Sequence, residues 1–185
     1  MTSPSLSIAR DRRVAALMVV GFAGALAVAS QVAIRLPGTP VPMTLQPLVV
    51  VLAGLWLGPT LGAASMIVYL LAGAMGAPVF APIPELPQGI ARFAGPTGGY
   101  LWAYPVAAWI AGTVGQRWPS FVGRTLASAA GIVALHVGGV AQLMVLTGSA
   151  TTAASLGTLP FLAMDVAKSL LGGALSSKRS TRTIA

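Results

Sequence analysis

Residues 159–175 read LPFLAMDVAKSLLGGAL, an apolar run about long enough to cross a bilayer that carries Asp165 and Lys168 in its middle. Positions three apart share one face of a helix, so the two charges can pair. A charge near the centre of a membrane helix is costly, and such residues face the bundle interior or a polar cavity. One reading is a buried ion pair that ties this helix to a neighbour. The other is a ligand site with an acceptor and a donor side by side. The second is favoured.

Composition sets the class. The 185 residues are 56% hydrophobic and 8% charged, with a mean hydropathy of +0.84. Soluble domains carry about a quarter charged residues, so an integral membrane protein is expected. The chain is read as a single transmembrane domain over residues 1–185, with a polar N-terminal segment at 1–13 and a basic tail at 176–185. There is no cysteine, which removes disulfides and thiolate chemistry. One histidine and three acids are too few for an ordinary metal site. No cofactor and no enzymatic activity are expected, since no nucleophile, base or metal cluster stands out. The only lysines, Lys168 and Lys178, do not follow glycine, so the chain has no phosphate-binding loop of the kind ATPases use. The net charge of +8 lies at the ends of apolar segments rather than in a nucleic-acid patch.

Working back from 159–175, residues 148–158 read as a small uncharged loop and 126–147 as a fifth span containing His136 and Gln142. His136 is read as a hydrogen-bonded interior residue rather than a proton relay. Residues 116–124 form a short basic loop, and 98–114 a fourth span with Tyr100 and Tyr104 on one face. The proline- and glycine-rich stretch 76–97 is a structured loop or lid carrying Glu85 and Arg92. Residues 60–75 form the third span, entered through the Gly58-Pro59 turn, with Gly58 and Gly62 spaced for close helix contact. The second span, 44–57, has Thr44 as candidate N-cap and Pro47 in its first turn. About 14 helical residues rise only about 21 Å. The preceding segment RLPGTPVPM therefore dips into the outer layer against protein or a cavity. Residues 14–34 form the first span; cleavage as a signal peptide after Ala27-Val28-Ala29 is the rival reading, and the apolar run continues past it.

The fold expected is all-α, a bundle of six transmembrane helices whose exterior loops cap a ligand pocket. With both termini inside, the inner segments hold Arg10, Arg12, Arg13, Arg117, Arg124, Lys178, Arg179 and Arg182, against Arg35 and Arg92 outside. That asymmetry satisfies the positive-inside rule and predicts a multi-pass cell-membrane protein with cytoplasmic termini.

Four segments together, PVPMTLQPLVVVLAGLWLG at 40–58, GAPVFA at 76–81, GPTGGYL at 95–101 and LPFLAMDVAK at 159–168, resemble the BioY family. Its members are the biotin-specific substrate-binding subunits, or S-components, of energy-coupling factor transporters. The resemblance covers nearly the whole chain from the first helix on. It implies biotin as ligand, with a transmembrane coupling subunit and two ATPase subunits as partners. It also implies that Asp165 and Lys168 are the family's intramembrane pair. Where relatives often have a glycine-rich lid, this chain has Pro82-Ile83-Pro84-Glu85-Leu86-Pro87.

Beside Asp165 and Lys168, the candidate substrate-binding residues are Tyr100 as an aromatic contact, Arg92 toward a ligand carboxylate, and Gln46, equally readable as interhelical glue. Ala23 and Ala27, with Ala25 and Ala29, form a small-residue row; the resemblance points to it as the docking face for the coupling subunit. A stand-alone secondary transporter or facilitator, for biotin or another small polar heterocycle and gated by the Asp165/Lys168 pair, is the alternative.

Overall fold

The computed structural model describes the backbone of residues 4–180 and the side chains of residues 11–177. Arg182 lies outside the described residues, as do the side chains of Arg10, Lys178 and Arg179. The chain is mostly helical. Helix α1, Pro4–Gln31, runs straight through the expected polar leader, so Arg12 and Arg13 sit on the same helix as the apolar run. Two-residue strands β1, Ala33–Ile34, and β2, Met43–Thr44, pair antiparallel and pin the proline-rich segment between them. That ribbon is a small departure from an all-α fold. Then follow α2, Gln46–Leu57, and α3, Pro59–Ala74. After a 3-10 segment at Gly89–Ala94 come α4, Gly98–Arg117, and α5, Phe121–Thr147. Helix α6, Ala150–Gly157, and a 3-10 turn at Leu159–Phe161 lead into α7, Leu162–Ser180.

Local chemistry explains the boundaries that differ from expectation. Helix α2 starts at Gln46; Thr44 does not cap it, and instead its hydroxyl accepts from the Gln46 N–H at 3.2 Å. The basic loop shrinks to residues 118–120 because Ser120 caps α5, accepting from the Gly123 N–H at 3.1 Å. Gly148, at φ 70°, closes α5 in the left-handed conformation that glycine adopts without cost. The expected loop at 148–158 is largely helical. Ser149 accepts from the Thr152 N–H, and the following alanine-rich stretch has the propensity to continue for two turns.

Among the described residues, three stretches are long and apolar enough to cross a membrane: Asp11–Gln31, Phe121–Thr147 and Ala150–Ser177. The molecule is apolar outside. Leu17, Val20 and Val28 on α1, Trp102 and Trp109 on α4, and Val133, Val137 and Val145 on α5 are exposed. Polar side chains lie inside, where Ser65, Ser128 and Ser176 donate to carbonyls of their own helices. This is the surface of a membrane protein.

Because lipid tails are as apolar as the helices, packing here rests on close approach. Helix α4 packs on α2, α3 and α5, and α5 on α7. A Cβ on Gly62 would lie 2.8 Å from the Gly54 Cα, and one on Gly112 would lie 2.6 Å from the Pro59 nitrogen. The close contact of α2 and α3 therefore pairs Gly62 with Gly54. Gly58, expected to share the contact face with Gly62, forms the turn at φ 82°.

The small-residue row of α1 is divided by burial. Ala23 is 8% exposed and packs within the core that contains Leu26, Met66 and Leu70; Ala27 is half-buried against the same core. The side of α1 that Ala23 occupies faces its own bundle. Gly21, Gly24 and Ala25 are the exposed small residues there.

Candidate functional site

Helices α2, α3, α4, α5 and α7, with the segments at 41–44 and 80–92, line a cavity that opens to solvent. Asp165, Lys168, Tyr100, Arg92 and Gln46 all line it. The 3-10 turn before α7 places Phe161 in the same wall.

Asp165 and Lys168 are 7% and 3% exposed, one helical turn apart on α7. Lys168 Nζ donates to Asp165 Oδ1 at 3.2 Å. The other carboxylate oxygen, Oδ2, lies 2.7 Å from His136 Nε2 on α5, and His136 Nδ1 lies 3.0 Å from the Gly157 carbonyl at the end of α6. Tyr100 donates its hydroxyl to that same carbonyl, and its ring stands edge-on to His136 at 6.0 Å. Gly139 makes room for the ring, since a Cβ there would run into it. His136 is therefore interior and hydrogen-bonded, as its solitude suggested. That its partner is Asp165 was missed. The glycines around it, Gly131, Gly138 and Gly139, thin α5 where it faces α4 and carry no sign of the contact with α7.

A second cluster surrounds Arg92. The guanidinium is 2% exposed, donates to the carbonyls of Ala81 at 2.9 Å, Pro87 at 3.3 Å and Leu86 at 3.4 Å, and lies over the Phe80 ring at 6.0 Å. Among the described residues no carboxylate pairs with it, and burial lowers its pKa from the ordinary arginine value. Glu85 pairs instead with Arg35 at 3.0 Å, in solvent, where such a contact is worth little. Gln46 Nε2 donates to the Tyr69 hydroxyl at 2.8 Å, which donates onward to the Val79 carbonyl at 3.0 Å. Gln46 thus joins α2 to α3 while lining the cavity. Tyr69 stacks on Tyr104 with ring centres 6.2 Å apart, and sequence reasoning had not singled out Tyr69. Thr97, also in the wall, keeps a buried hydroxyl without a hydrogen-bond partner among the described residues.

The arrangement is an apolar, aromatic-walled chamber with one carboxylate held between an ammonium and an imidazole, and one guanidinium held by backbone carbonyls. It can bind a small molecule that offers both donors and acceptors. A family model described as BioY family matches residues 3–184. The chain belongs to the BioY family. Relatives within it include a protein of Pyrococcus horikoshii named "Probable biotin transporter BioY", 39% identical over 82% of this chain and 86% of that one. Another, from Thermotoga maritima and named "Biotin transporter BioY", is 35% identical over 73% of this chain and 78% of that one. The fold is that of a crystal structure described as the S-component for biotin from an ECF-type ABC transporter. The TM-score is 0.83 at 20% identity, covering 98% of this chain and 95% of that one. In this BioY-family chain the Asp165–Lys168 pair, His136 and Arg92 therefore stand in the wall of a bundle with S-component architecture.

Proposed function

We propose that this chain captures biotin for uptake, as the substrate-specific membrane subunit of an energy-coupling factor transporter. The observation that carries the reading is the Asp165–Lys168 pair, buried side by side in an otherwise largely apolar cavity. Biotin's ureido ring offers N–H donors flanking a carbonyl. An ionised aspartate accepts and a lysine donates, so the pair complements one edge of that ring. Hydrogen bonds to charged partners are stronger than neutral ones. Tyr100 and Phe161 supply apolar surface for the thioether ring. Arg92, which pairs with no carboxylate among the described residues, meets the ligand's carboxylate, and Gln46 holds the Tyr69 ring in the wall.

In this reading α1 to α5 and α7 are the six spans, and α6 with the 76–97 segment caps the pocket from outside. Both termini are cytoplasmic, supported by the uneven distribution of arginine and lysine. A transmembrane coupling subunit and two ATPase subunits provide the energy on other chains. Two measurements test this: binding of radiolabelled biotin to the purified chain in competition with unlabelled vitamins, and uptake with and without the partner subunits. Competition by unlabelled biotin alone, and uptake that needs the ATPases, are expected. Uptake persisting without them would instead make the chain a self-sufficient carrier.

A further inference from the structure

His136 has an acceptor on each side. Its Nδ1 faces the Gly157 carbonyl at 3.0 Å, and a carbonyl only accepts, so Nδ1 carries a hydrogen. Its Nε2 faces Asp165 Oδ2 at 2.7 Å, a hydrogen-bonding separation. A neutral imidazole has one N–H, and it is already used at Nδ1. The contact with Asp165 therefore requires one more proton, carried either by the ring or by the carboxyl group. Lys168 occupies the other oxygen of the same carboxyl group, so Asp165 is held at both ends.

We infer that His136 and Asp165 share this one proton and that His136 is a positioning residue, holding Asp165 in the orientation that accepts the ligand's N–H. Each carboxylate oxygen has a second lone pair, so both remain open to a ligand in the cavity. When the shared proton is removed, the bare Nε2 faces a carboxylate oxygen with no hydrogen between them. The two acceptors repel, and Asp165 loses one of the two groups that fix its orientation toward the ligand. Affinity therefore falls toward alkaline pH.

The charged and titratable groups facing His136 are Asp165 with Lys168 beyond it on α7, and Tyr100 on α4; α6 presents the Gly157 carbonyl and the 3-10 turn the Phe161 ring. Arg92, Tyr69 and Tyr104 line the same cavity. None of them supplies the missing hydrogen at Nε2, because the atom opposite it is Asp165 Oδ2.

The chain contains one histidine, so histidine labelled with 15N reports this ring alone. In the ligand-free full chain at neutral pH, the ring-nitrogen shifts are expected to show a protonated Nδ1. A bare Nδ1 with a protonated Nε2 would overturn the inference without any variant having to fold. The binding half of the test rests on the biotin reading of the site. The wild-type Kd for biotin should rise tenfold or more from neutral to alkaline pH. His136→Gln, whose amide donates at every pH, should bind more weakly but without that slope. A slope retained in His136→Gln belongs to Lys168 or Tyr100 and overturns the inference, as does a flat wild-type profile. A protonated Nδ1 together with an Nε2 shift displaced from that of a bare ring nitrogen, in a chain that binds no biotin at any pH, supports the shared proton and overturns the choice of ligand instead.

Discussion

Arg92 Nη2 donates to the carbonyl oxygen of Ala81 at 2.9 Å, so a guanidinium that lines the cavity also fastens the proline-rich segment beside it. The same side chain reaches the Leu86 and Pro87 carbonyls with its other terminal nitrogen. One residue thus has two tasks that can be separated. Arg92→Lys keeps the charge but loses the planar fork that spans several carbonyls. It is expected to expose residues 82–88 to limited proteolysis. Arg92→Met removes the charge as well, and should weaken biotin at least tenfold while weakening the neutral amide of biotin much less. Equal losses for acid and amide, measured by competition binding, would show that Arg92 does not meet the carboxylate.

The central pair calls for a charge-neutral comparison. Removing one partner of a buried pair leaves an uncompensated charge that costs about 3–5 kcal/mol, so a single variant can lose binding simply by misfolding. Asp165→Asn combined with Lys168→Met removes both charges at similar volume. The double variant should fold, judged by a monodisperse elution profile and a cooperative melt. It should lose about 3–6 kcal/mol of biotin affinity, on the scale of two hydrogen bonds to charged groups. Near-normal affinity in the folded variant would make the pair structural only.

Ala23 and Gly24 are neighbours on α1 with opposite surroundings. Ala23 packs in the core, whereas among the described residues no atom beyond the helix's own adjacent backbone lies within 4 Å of where a Cβ on Gly24 would stand. Ala23→Leu overfills that core and should cost about 1–3 kcal/mol. Gly24→Leu should leave the melting temperature at or above the parent's, since it also removes a helix-interior glycine. The two melts, taken in the same detergent, check this; matching destabilisation would place both residues in the same environment.

Topology can be read with single cysteines, because the chain has none of its own. Ser120 and Glu85 are both exposed, at opposite ends of the proposed bundle. An impermeant thiol reagent applied to intact cells should label Glu85→Cys and leave Ser120→Cys untouched until the membrane is opened. Labelling of Ser120→Cys in intact cells would invert the assignment.

The membrane class and the family were legible before any coordinates. They depend on sums and local order: many apolar residues, few charges, proline-rich breaks, and Asp165 three positions before Lys168 in a span. Helix periodicity alone places those two charges on one face. The rotational setting of the helices was not legible, because a helix apolar on nearly every side has no stripe to show which face turns inward. That is why Ala23 was assigned to the outside. His136 and Asp165 lie 29 residues apart, on helices joined by a segment that itself proved helical, and only the packing of α5 against α7 brings their side chains to 2.7 Å. Arg92 was legible as a charge in a loop. Its burial beneath backbone carbonyls was decided by the path of the 81–87 segment, which turns the Ala81, Leu86 and Pro87 carbonyls toward the guanidinium.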